Sequence, residues 1–422
     1  MRREQREATG QSEIVCSYKH SRLGEGASTL VFMENPYRRH WTLDPEVTFL
    51  NHGSYGACPA RIQLRQQELR QEMEREPVRF MGHRTSLFDH SRERLAQFVN
   101  APMQDLAFVP NATHGVNAAI ASQRWKSGDE ILVTDHEYNA CRNALDFHAE
   151  RWGATVVVVK LPFPLTNPQQ VVDAMMAKVT ERTVFCLVDH ITSPTALVLP
   201  VQDIIPAMHA KGVRVLVDGA HAPGQIPLQL QKLGADYYTG NLHKWTCAPK
   251  GSAFLYVRPE LQADIHPVTI SHGYNAGTKS RSRFLQEFDW TGTFDPTAWG
   301  SIADVIDFMD DLVAGGWNAI MQRNHDLALS MRTMLAERWG TELPAPDAMI
   351  GTMASVFIPD AAVKTVENRD TSVYAELYHQ WGIQIPAIPL PDNLGTVVRL
   401  SAHIYNTESE YERLAEAVES LV

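Results

Sequence analysis

The sequence of 422 residues is poor in cysteine, and its cysteines have no spacing that would bring them together. The five are an odd number without a CxxC pair: Cys16, Cys58, Cys141, Cys186 and Cys247. Disulfide frameworks and zinc cages usually show closely spaced cysteines. Neither is indicated, and we predict a protein of a reducing cytoplasm.

Positive charge and long apolar runs are also scarce. Lysine and arginine number 38 against 49 aspartates and glutamates, a net charge of −11. Because nucleic acids and anionic membranes attract basic surfaces, we expect neither as a partner. The longest β-rich run, residues 154–162, falls short of the roughly eighteen apolar residues that a membrane helix needs. A small-molecule substrate is the remaining expectation.

Several signatures of common enzyme classes are missing. No GxGxxG follows the first predicted strand, and the sequence has no P-loop. The segment HEYNA at 136–140 carries Ala140 where a zinc protease motif needs a second histidine. Nicotinamide-binding, nucleotide-binding and zinc protease functions are therefore disfavoured.

The sequence does contain a repeated strand–helix pattern. Short apolar, β-rich runs recur and are separated by helical spacers such as 167–179 and 201–212. The predicted strands are 105–109, 130–135, 154–160, 183–190, 213–221 and 235–240. This alternation predicts an α/β fold with a mainly parallel sheet.

The flanking segments give a domain plan. Residues 1–35 are predicted to be a disordered tail or a mis-started one, with Met33 as the alternative start. Residues 36–60 are rich in turn formers and predict an ordered arm. We assign 61–299 to a large domain that opens with two amphipathic helices broken near Pro77. Residues 300–422 are assigned to a small α+β domain that begins with a long helical stretch.

Polar residues follow the predicted strands at their carboxyl ends, where open parallel sheets bind ligands. Asp218 ends one strand, His136 follows another, and Thr113 begins a helix after a third. Lys244 lies on the loop between two strands. Taken singly, each has an ordinary explanation, such as a helix cap or a surface lysine. Only the four residues together indicate a ligand-binding site.

These four residues match what a pyridoxal phosphate enzyme requires. A lysine holds the cofactor as an imine and later moves protons. An aspartate beside the pyridine nitrogen keeps it protonated, so that the ring accepts the electrons of an α-carbanion. A helix N-terminus binds the phosphate, and an imidazole stacks on the ring. We predict pyridoxal 5'-phosphate as the cofactor.

Three segments carry a resemblance to a known family: VDGAHAPGQIPL at 217–228, TGNLHKWTCAPKG at 239–251 and VRLSAHIYNT at 398–407. The chain resembles the class V aminotransferases, which are fold type I pyridoxal phosphate enzymes. It is most similar to the isopenicillin N epimerase-like branch, across roughly residues 45 to 415. The resemblance implies a mainly parallel seven-stranded sheet with helices on both faces, and a small C-terminal α+β domain.

The resemblance also implies a role for individual residues. Lys244 matches the imine-forming lysine and Asp218 the partner of the pyridine nitrogen, with His136 and Tyr138 as further catalytic candidates. The cofactor-binding positions that it implies within one subunit are Ala112, Thr113, His136, Ser193, Asp218, His221, Asn241, His243 and Lys244.

Other matches concern the substrate and a second subunit. Arg399 resembles the arginine that grips the substrate α-carboxylate, and Asn51 and Tyr55 resemble an arm that covers the substrate. Gly292 and Thr293 match a loop that reaches the phosphate of a neighbouring subunit. The resemblance therefore implies a homodimer with shared active sites.

The sequence indicates the cofactor more precisely than it indicates the reaction. We expect removal of the α-proton of an amino acid, with epimerisation as the named reaction and Tyr138, Tyr55 or His52 as the second acid. A C–S lyase acting on a cysteine conjugate and an aminotransferase need no additional residues. A cysteine desulfurase is disfavoured because no cysteine follows Cys247. A non-catalytic binding protein is the least favoured alternative.

Overall fold

The computed structural model describes residues 35–277, 281–369 and 371–422. The tail predicted at 1–35 lies outside these ranges except for its last residue. The side chain of Asn35 donates a hydrogen bond to the carbonyl of Ile404 at 2.9 Å.

The strands and helices of the described chain alternate as the sequence pattern predicts. The strands are β1 (Thr48–Phe49), β2 (Leu106–Val109), β3 (Glu130–Thr134), β4 (Thr155–Val159), β5 (Thr183–Asp189), β6 (Arg214–Asp218), β7 (Tyr237–Asn241), β8 (Ala253–Val257), β9 (Met353–Phe357), β10 (Ile383–Gln384), β11 (Ala387–Pro389) and β12 (Thr396–Ser401). The helices are α1 (His52–Tyr55), α2 (Ala60–Arg75), α3 (Pro77–Val99), α4 (Ala112–Ala121), α5 (Asn139–Trp152), α6 (Gln169–Met176), α7 (Val201–His209), α8 (Leu230–Leu233), α9 (Arg283–Phe288), α10 (Thr297–Gly300), α11 (Ile302–Asp310), α12 (Gly316–Trp339), α13 (Asp360–Glu367), α14 (Val373–Trp381) and α15 (Glu408–Glu419). Short 3-10 helices lie at Arg38–His40, Met103–Asp105, Pro259–Leu261, His272–Asn275, Asp347–Met349 and Pro391–Asn393.

Seven strands form the central sheet in the order β2-β8-β7-β6-β5-β3-β4. The run from β7 to β4 is parallel throughout, and β8 is antiparallel to both of its neighbours. Going from β3 to β4 leads towards one edge of the sheet, whereas going from β5 to β6 and β7 leads towards the other. The strand order therefore reverses between β3 and β5. Such a switch point leaves a crevice at the carboxyl ends of the strands. The expectation of a mainly parallel seven-stranded sheet is confirmed.

Both faces of this sheet are covered, because side chains alternate along each strand. On β5, Cys186 and Val188 join one buried cluster that includes residues of α3, α6, α7 and α11. Phe185 and Leu187 point to the opposite cluster, which includes residues of α4, α5 and α9. Strands buried on both faces read as continuous apolar runs, which is why these segments could be recognised as strands.

A second core lies in the C-terminal part. Strands β11, β12 and β9 form an antiparallel sheet, and its apolar side chains pack with those of α12 to α15. Strand β1 of the arm pairs in parallel with β10 of this part. The domain boundaries proposed from the sequence stay predictions.

Two helix breaks follow from local sequence. Pro77 occupies the first turn of α3, where its missing N–H costs nothing, so the predicted break near Pro77 is present. The long helical stretch expected after residue 300 is instead interrupted between α11 and α12. Gly315 and Gly316 both adopt positive φ there, at 93° and 59°, a conformation that few other residues tolerate.

Among the helices of the described residues, none has the length and apolar character that crossing a membrane requires.

The close packing of α4 against β7 depends on Gly115. A Cβ at this position would lie 2.3 Å from the Thr239 Oγ1 atom, so Gly115→Ala must displace the helix start. We expect the free energy of unfolding to fall by about 1–3 kcal/mol in urea denaturation. Gly82→Ala on α3 is the matched control, because its Cβ meets nothing within 4 Å. The control should stabilise by up to about 1 kcal/mol. Equal effects of the two changes would contradict this packing argument.

Candidate active site

Lys244 lies on a tight loop between β7 and β8 whose main chain is enclosed from two sides. The Lys244 carbonyl accepts a hydrogen bond from the amide of Cys247 at 2.9 Å. A Cβ on Gly56 would come within 2.2 Å of the His243 carbonyl oxygen, and one on Gly224 within 2.6 Å of the Trp245 carbonyl. Both glycines also have positive φ, at 69° and 86°. Only glycine fits at these two positions, and together they hold the loop in place.

The Lys244 amine points to His221. Its Nζ atom lies 3.0 Å from His221 Nε2. Burial, and next the positive charge of Arg399, lower the pKa of Lys244 to about 8. Burial and the Lys244 charge hold the pKa of His221 well below its usual value, so this ring is neutral and Nε2 accepts from the amine. A lysine whose pKa is lowered towards neutrality is suited to attack a carbonyl and to move protons.

Asp218 ends β6 at the bottom of the crevice. Its Oδ2 atom accepts from the Cys141 thiol at 3.1 Å, and its Oδ1 atom from the Ala220 amide at 2.9 Å. Asp189 lies beside it in register on β5. Burial raises the pKa of both carboxyl groups. A cation placed against Asp218, such as a protonated ring nitrogen, would relieve this cost.

Glu137 adds a third carboxyl group to this cluster. Burial, followed by the charges of Asp189 and Asp218, raises the pKa of Glu137 well above its usual value. Neither Glu137 oxygen, nor Asp189 Oδ2, has a hydrogen-bond partner among the described residues. A proton on Glu137 would let it donate to Asp189. Three buried carboxylates cannot all be ionised together at low cost, so this corner of the site holds at least one proton.

The N-terminus of α4 forms the opposite wall. Asn111 caps it by accepting from the His114 amide at 3.0 Å. Asn241 Oδ1 accepts from the Ala112 amide at 2.8 Å and so attaches the helix start to β7. Within the described ranges the Thr113 amide has no acceptor. A free N–H at a helix N-terminus is suited to a phosphate.

Two histidines at the edges of the candidate active site are held in place by hydrogen bonds. His136 Nδ1 bonds Thr195 Oγ1 at 2.8 Å, and burial lowers the pKa of His136, which leaves a neutral flat ring. His243 Nδ1 bonds the Ser252 carbonyl at 2.8 Å. Burial lowers the pKa of His243 to about 4. A phosphate dianion beside His243 would favour its protonated form.

The side chain of Arg399 is a buried positive charge. Its Nη1 atom donates to the carbonyl and, at 3.2 Å, to the hydroxyl of Ser193, while Nη2 donates to Ser54 Oγ at 3.0 Å. Asn51 Oδ1 accepts from that Ser54 hydroxyl at 2.6 Å. In the part of the chain that the structure describes, Arg399 Nε has no acceptor and no carboxylate pairs with the guanidinium. Burial lowers the pKa of Arg399 to about 10.

The other predicted residues are more exposed. Tyr138 is the N-cap residue of α5, and 46% of its surface is exposed. Tyr55 is 77% exposed. Gly292 and Thr293 lie at the surface, and a Cβ on Gly292 would meet nothing within 4 Å. Tyr55 directly precedes Gly56, which packs against the Lys244 main chain.

Sequence reasoning missed several residues that the structure places at the site. Asp189 lies within the end of a predicted strand, and Glu137 comes two residues after another, so both stand at the same edge of the sheet as Asp218 and His136. Ser54 lies inside the NHGSYG segment. His52 was expected as an acid candidate, but its Nδ1 bonds the Tyr405 hydroxyl at 2.6 Å and its Nε2 the Lys244 carbonyl at 3.0 Å. His52 therefore supports the Lys244 loop.

This arrangement fits pyridoxal phosphate. Lys244 would hold its aldehyde carbon, Asp218 its ring nitrogen, the start of α4 its phosphate and His136 a face of its ring. A further observation is that His221 Nδ1 is buried without a partner among the residues described, and so remains available to a ligand. The aldehyde, the ring nitrogen and the phosphate of the cofactor thus each have a counterpart.

Comparison with known proteins identifies the family. The sequence model named Aminotransferase class-V matches residues 59–414. The chain belongs to the class V aminotransferase family.

Relatives within class V carry more than one activity in their names. An isopenicillin N epimerase of Amycolatopsis lactamdurans is 34% identical and aligns over 91% of this chain and 97% of its own. A probable chloroplastic L-cysteine desulfhydrase of Arabidopsis thaliana is 29% identical over 92% of this chain and 85% of its own. The solved structure of the cystine C–S lyase C-DES has a TM-score of 0.74 at 21% identity, covering 88% of this chain and 97% of that one.

These findings confirm the expected family, the resemblance to isopenicillin N epimerase and the fold type. The chain is a class V, pyridoxal phosphate-dependent enzyme. The individual residue roles, the homodimer and the cytoplasmic location stay predictions.

The lowered pKa of Lys244 can be measured in the cofactor-free protein. We expect an amine-reactive label, followed by peptide mass spectrometry, to modify Lys244 with a midpoint near pH 8, against about 10.4 for an unperturbed lysine. Exposed Lys232 in the same sample is the internal reference. In Arg399→Met the midpoint should rise, because a repelling charge is removed. A midpoint near the unperturbed value in the wild type would refute this description of the site.

Proposed function

We propose that the enzyme removes the α-proton of an amino acid and returns a proton to the opposite face, as an epimerase does. The observation that carries this proposal is Arg399. A buried guanidinium costs free energy until an anion pairs with it, and among the described residues no carboxylate does so. The α-carboxylate of an amino acid would supply that anion close to the Lys244 amine.

The residues of the chain then have separate roles in the reaction. Pyridoxal phosphate, when bound, supplies the electron sink for the pair left on the α-carbon. Arg399 binds the substrate carboxylate with two parallel N–H groups, helped by Ser54 and Asn51, which orient the guanidinium. Lys244 takes the α-proton, and its lowered pKa allows it to do so near neutral pH. Asp218 keeps a proton on the ring nitrogen.

Epimerisation needs a second acid on the other face, and Tyr138 is our candidate. It lies two residues after His136, at the start of α5, and 46% of its surface is exposed. This position, close to the residue that would stack on the cofactor ring, would bring the hydroxyl towards the α-carbon. Tyr55, at the end of α1, is the alternative acid of the arm.

A C–S lyase acting on a cysteine conjugate is the second candidate, and the relatives named L-cysteine desulfhydrase favour it. The substrate would lose its α-proton to Lys244 and a thiolate from its β-carbon. Addition of water and loss of ammonia would then give pyruvate. An aminotransferase would use the same residues, with Lys244 moving the proton to the cofactor carbon.

A cysteine desulfurase remains disfavoured in our proposal. It requires a thiolate nucleophile, and burial raises the pKa of each cysteine that the structure describes: Cys58 to about 12, and Cys141, Cys186 and Cys247 as well. A binding protein without activity is the least favoured, because the full set of Lys244, Asp218 and Arg399 is present.

We further propose a homodimer with shared active sites. Gly292 and Thr293 lie at the surface, and Gly292 has a φ of 126°, which only glycine adopts readily. A second subunit would bring this loop to the neighbour's phosphate. Cytoplasmic location is proposed with it, on the basis of cysteine usage.

Lys244→Ala should abolish catalysis. We expect the holoenzyme to absorb visible light and to lose this absorbance with borohydride, whereas Lys244→Ala should show no lysine-linked chromophore. The reason is that the alanine side chain has no amine to hold the cofactor carbon. Lys211→Ala, at an exposed position, should behave as wild type. A wild-type protein without such a chromophore after cofactor addition would defeat the proposal.

The same samples separate the candidate reactions. In deuterated water, wild type should introduce deuterium at the α-position of its substrate. Inversion without other products supports the epimerase, pyruvate with thiol release supports the lyase, and oxo-acid formation from a second substrate supports the aminotransferase. No exchange across a broad panel of amino acids would contradict α-proton abstraction.

Arg399→Lys should weaken substrate binding. A lysine cannot reproduce two parallel hydrogen bonds, so we expect KM to rise on the order of 10- to 100-fold with a smaller effect on kcat. The α-carboxamide of the same amino acid should bind wild type and variant alike. Arg214→Lys is the control, at the exposed opposite end of β6. An unchanged KM for the acid would show that Arg399 does not bind it.

A further inference from the structure

A cavity of about 710 Å³ adjoins the candidate active site. It lies between the ends of β3 and β4 on one side and β11 with its following loop on the other. We call it the proline-lined cleft, because Pro162, Pro164, Pro194, Pro389 and Pro391 all face it. Its volume is in the range of pockets that hold drug-sized ligands. Cysteine itself would leave most of it empty.

The cleft is continuous with the groups that would hold the substrate. His136 and Thr195, which are hydrogen-bonded to each other, form part of its wall. Pro194, another wall residue, follows the Ser193 carbonyl that accepts from the Arg399 guanidinium. The backbone amide of Arg399 donates to Pro386 at 3.1 Å, immediately before β11. Arg399 therefore contacts segments that lead into both walls.

The lining is chiefly apolar, and its one lysine is already paired. Phe163, Ile388 and Leu390 supply hydrocarbon and aromatic surface. At the edge of the cleft, Lys160 Nζ pairs with the carboxylate of Asp392. Asp135, the other carboxylate of the lining, accepts from the Leu161 amide at 3.0 Å. An anionic side chain entering the cleft would find no unpaired cation among these residues. An apolar side chain would be stabilised by burial.

We propose that the proline-lined cleft receives the side chain of the substrate, and that the substrate class is amino acids with a large apolar side chain. The inference rests on the proposed function, since it takes Arg399 as the carboxylate anchor. A substrate held there by its α-carboxylate has its side chain directed along segment 193–195 into the cleft.

Binding can be tested without turnover. α-Methyl-L-phenylalanine and 2-aminoisobutyrate both lack an α-proton and differ in side-chain size. We expect calorimetry on the holoenzyme to show the aromatic ligand binding on the order of 10- to 100-fold more tightly. Leu394→Trp should remove most of this preference by filling the cleft, and Leu394 is 38% exposed, so the larger side chain is accommodated. Leu64→Trp, at a 66% exposed position on α2, is the matched control.

The outcomes separate this inference from the proposed reaction. Tighter binding of the aromatic ligand by wild type and Leu64→Trp, with loss of this preference in Leu394→Trp, supports the cleft as the side-chain site. This holds even if no α-proton exchange is found. Proton exchange without any size preference overturns the cleft and leaves the reaction standing. Absence of binding by both ligands, or equal loss of affinity for both in Leu394→Trp, also overturns the cleft.

Discussion

The cost of burying the charge on Lys244 governs the arrangement of the site. Burial and Arg399 both oppose a proton on this amine, while Asp218 and Asp189 favour one. The balance leaves the pKa of Lys244 about 8, where the group can act both as a nucleophile and as a base. Arg399 and Lys244 also suit different parts of one ligand. The Arg399 guanidinium would bind an anion, and the Lys244 amine would react with an electrophilic carbon. An amino acid bound to pyridoxal phosphate offers both.

That balance depends on how firmly the Lys244 loop is held. Gly56, near the N-terminal end of the described chain, and Gly224, after β6, approach its main chain more closely than any Cβ would allow. His52 bonds the Lys244 carbonyl and, through its other nitrogen, the hydroxyl of Tyr405 in the C-terminal part. Three distant segments of the chain thus meet at one loop. The position of the lysine therefore rests on contacts from the N-terminal segment and the C-terminal part as well as on the neighbouring strands.

Most of the fold and the central site residues could be predicted from local pattern. Parallel strands with both faces buried are recognisable as apolar runs, and the residues after them share one edge of the sheet. Lys244, Asp218, His136 and Thr113 were found on this basis, and Arg399 by its motif. Glu137 was not, because its role depends on lying near two carboxylates from other strands. The break at Gly315 was also missed, since helical periodicity continues on both sides of it.

The sequence by itself determined the family and the cofactor and predicted the lysine that would hold it, because these depend on residue types in short segments of fixed spacing. Tertiary structure alone decided which groups are desolvated and which lack partners. The neutral state of His221 and the cluster of three carboxylates arise from contacts between segments far apart in the chain. So does the burial of the Arg399 guanidinium, which pairs with no carboxylate among the described residues. The same holds for the proline-lined cleft, whose walls come from the segments after β3 and β4, from Pro194 and Thr195, and from β11 with its following loop. Burial and electrostatic interaction act through space, and no spacing along the chain records them.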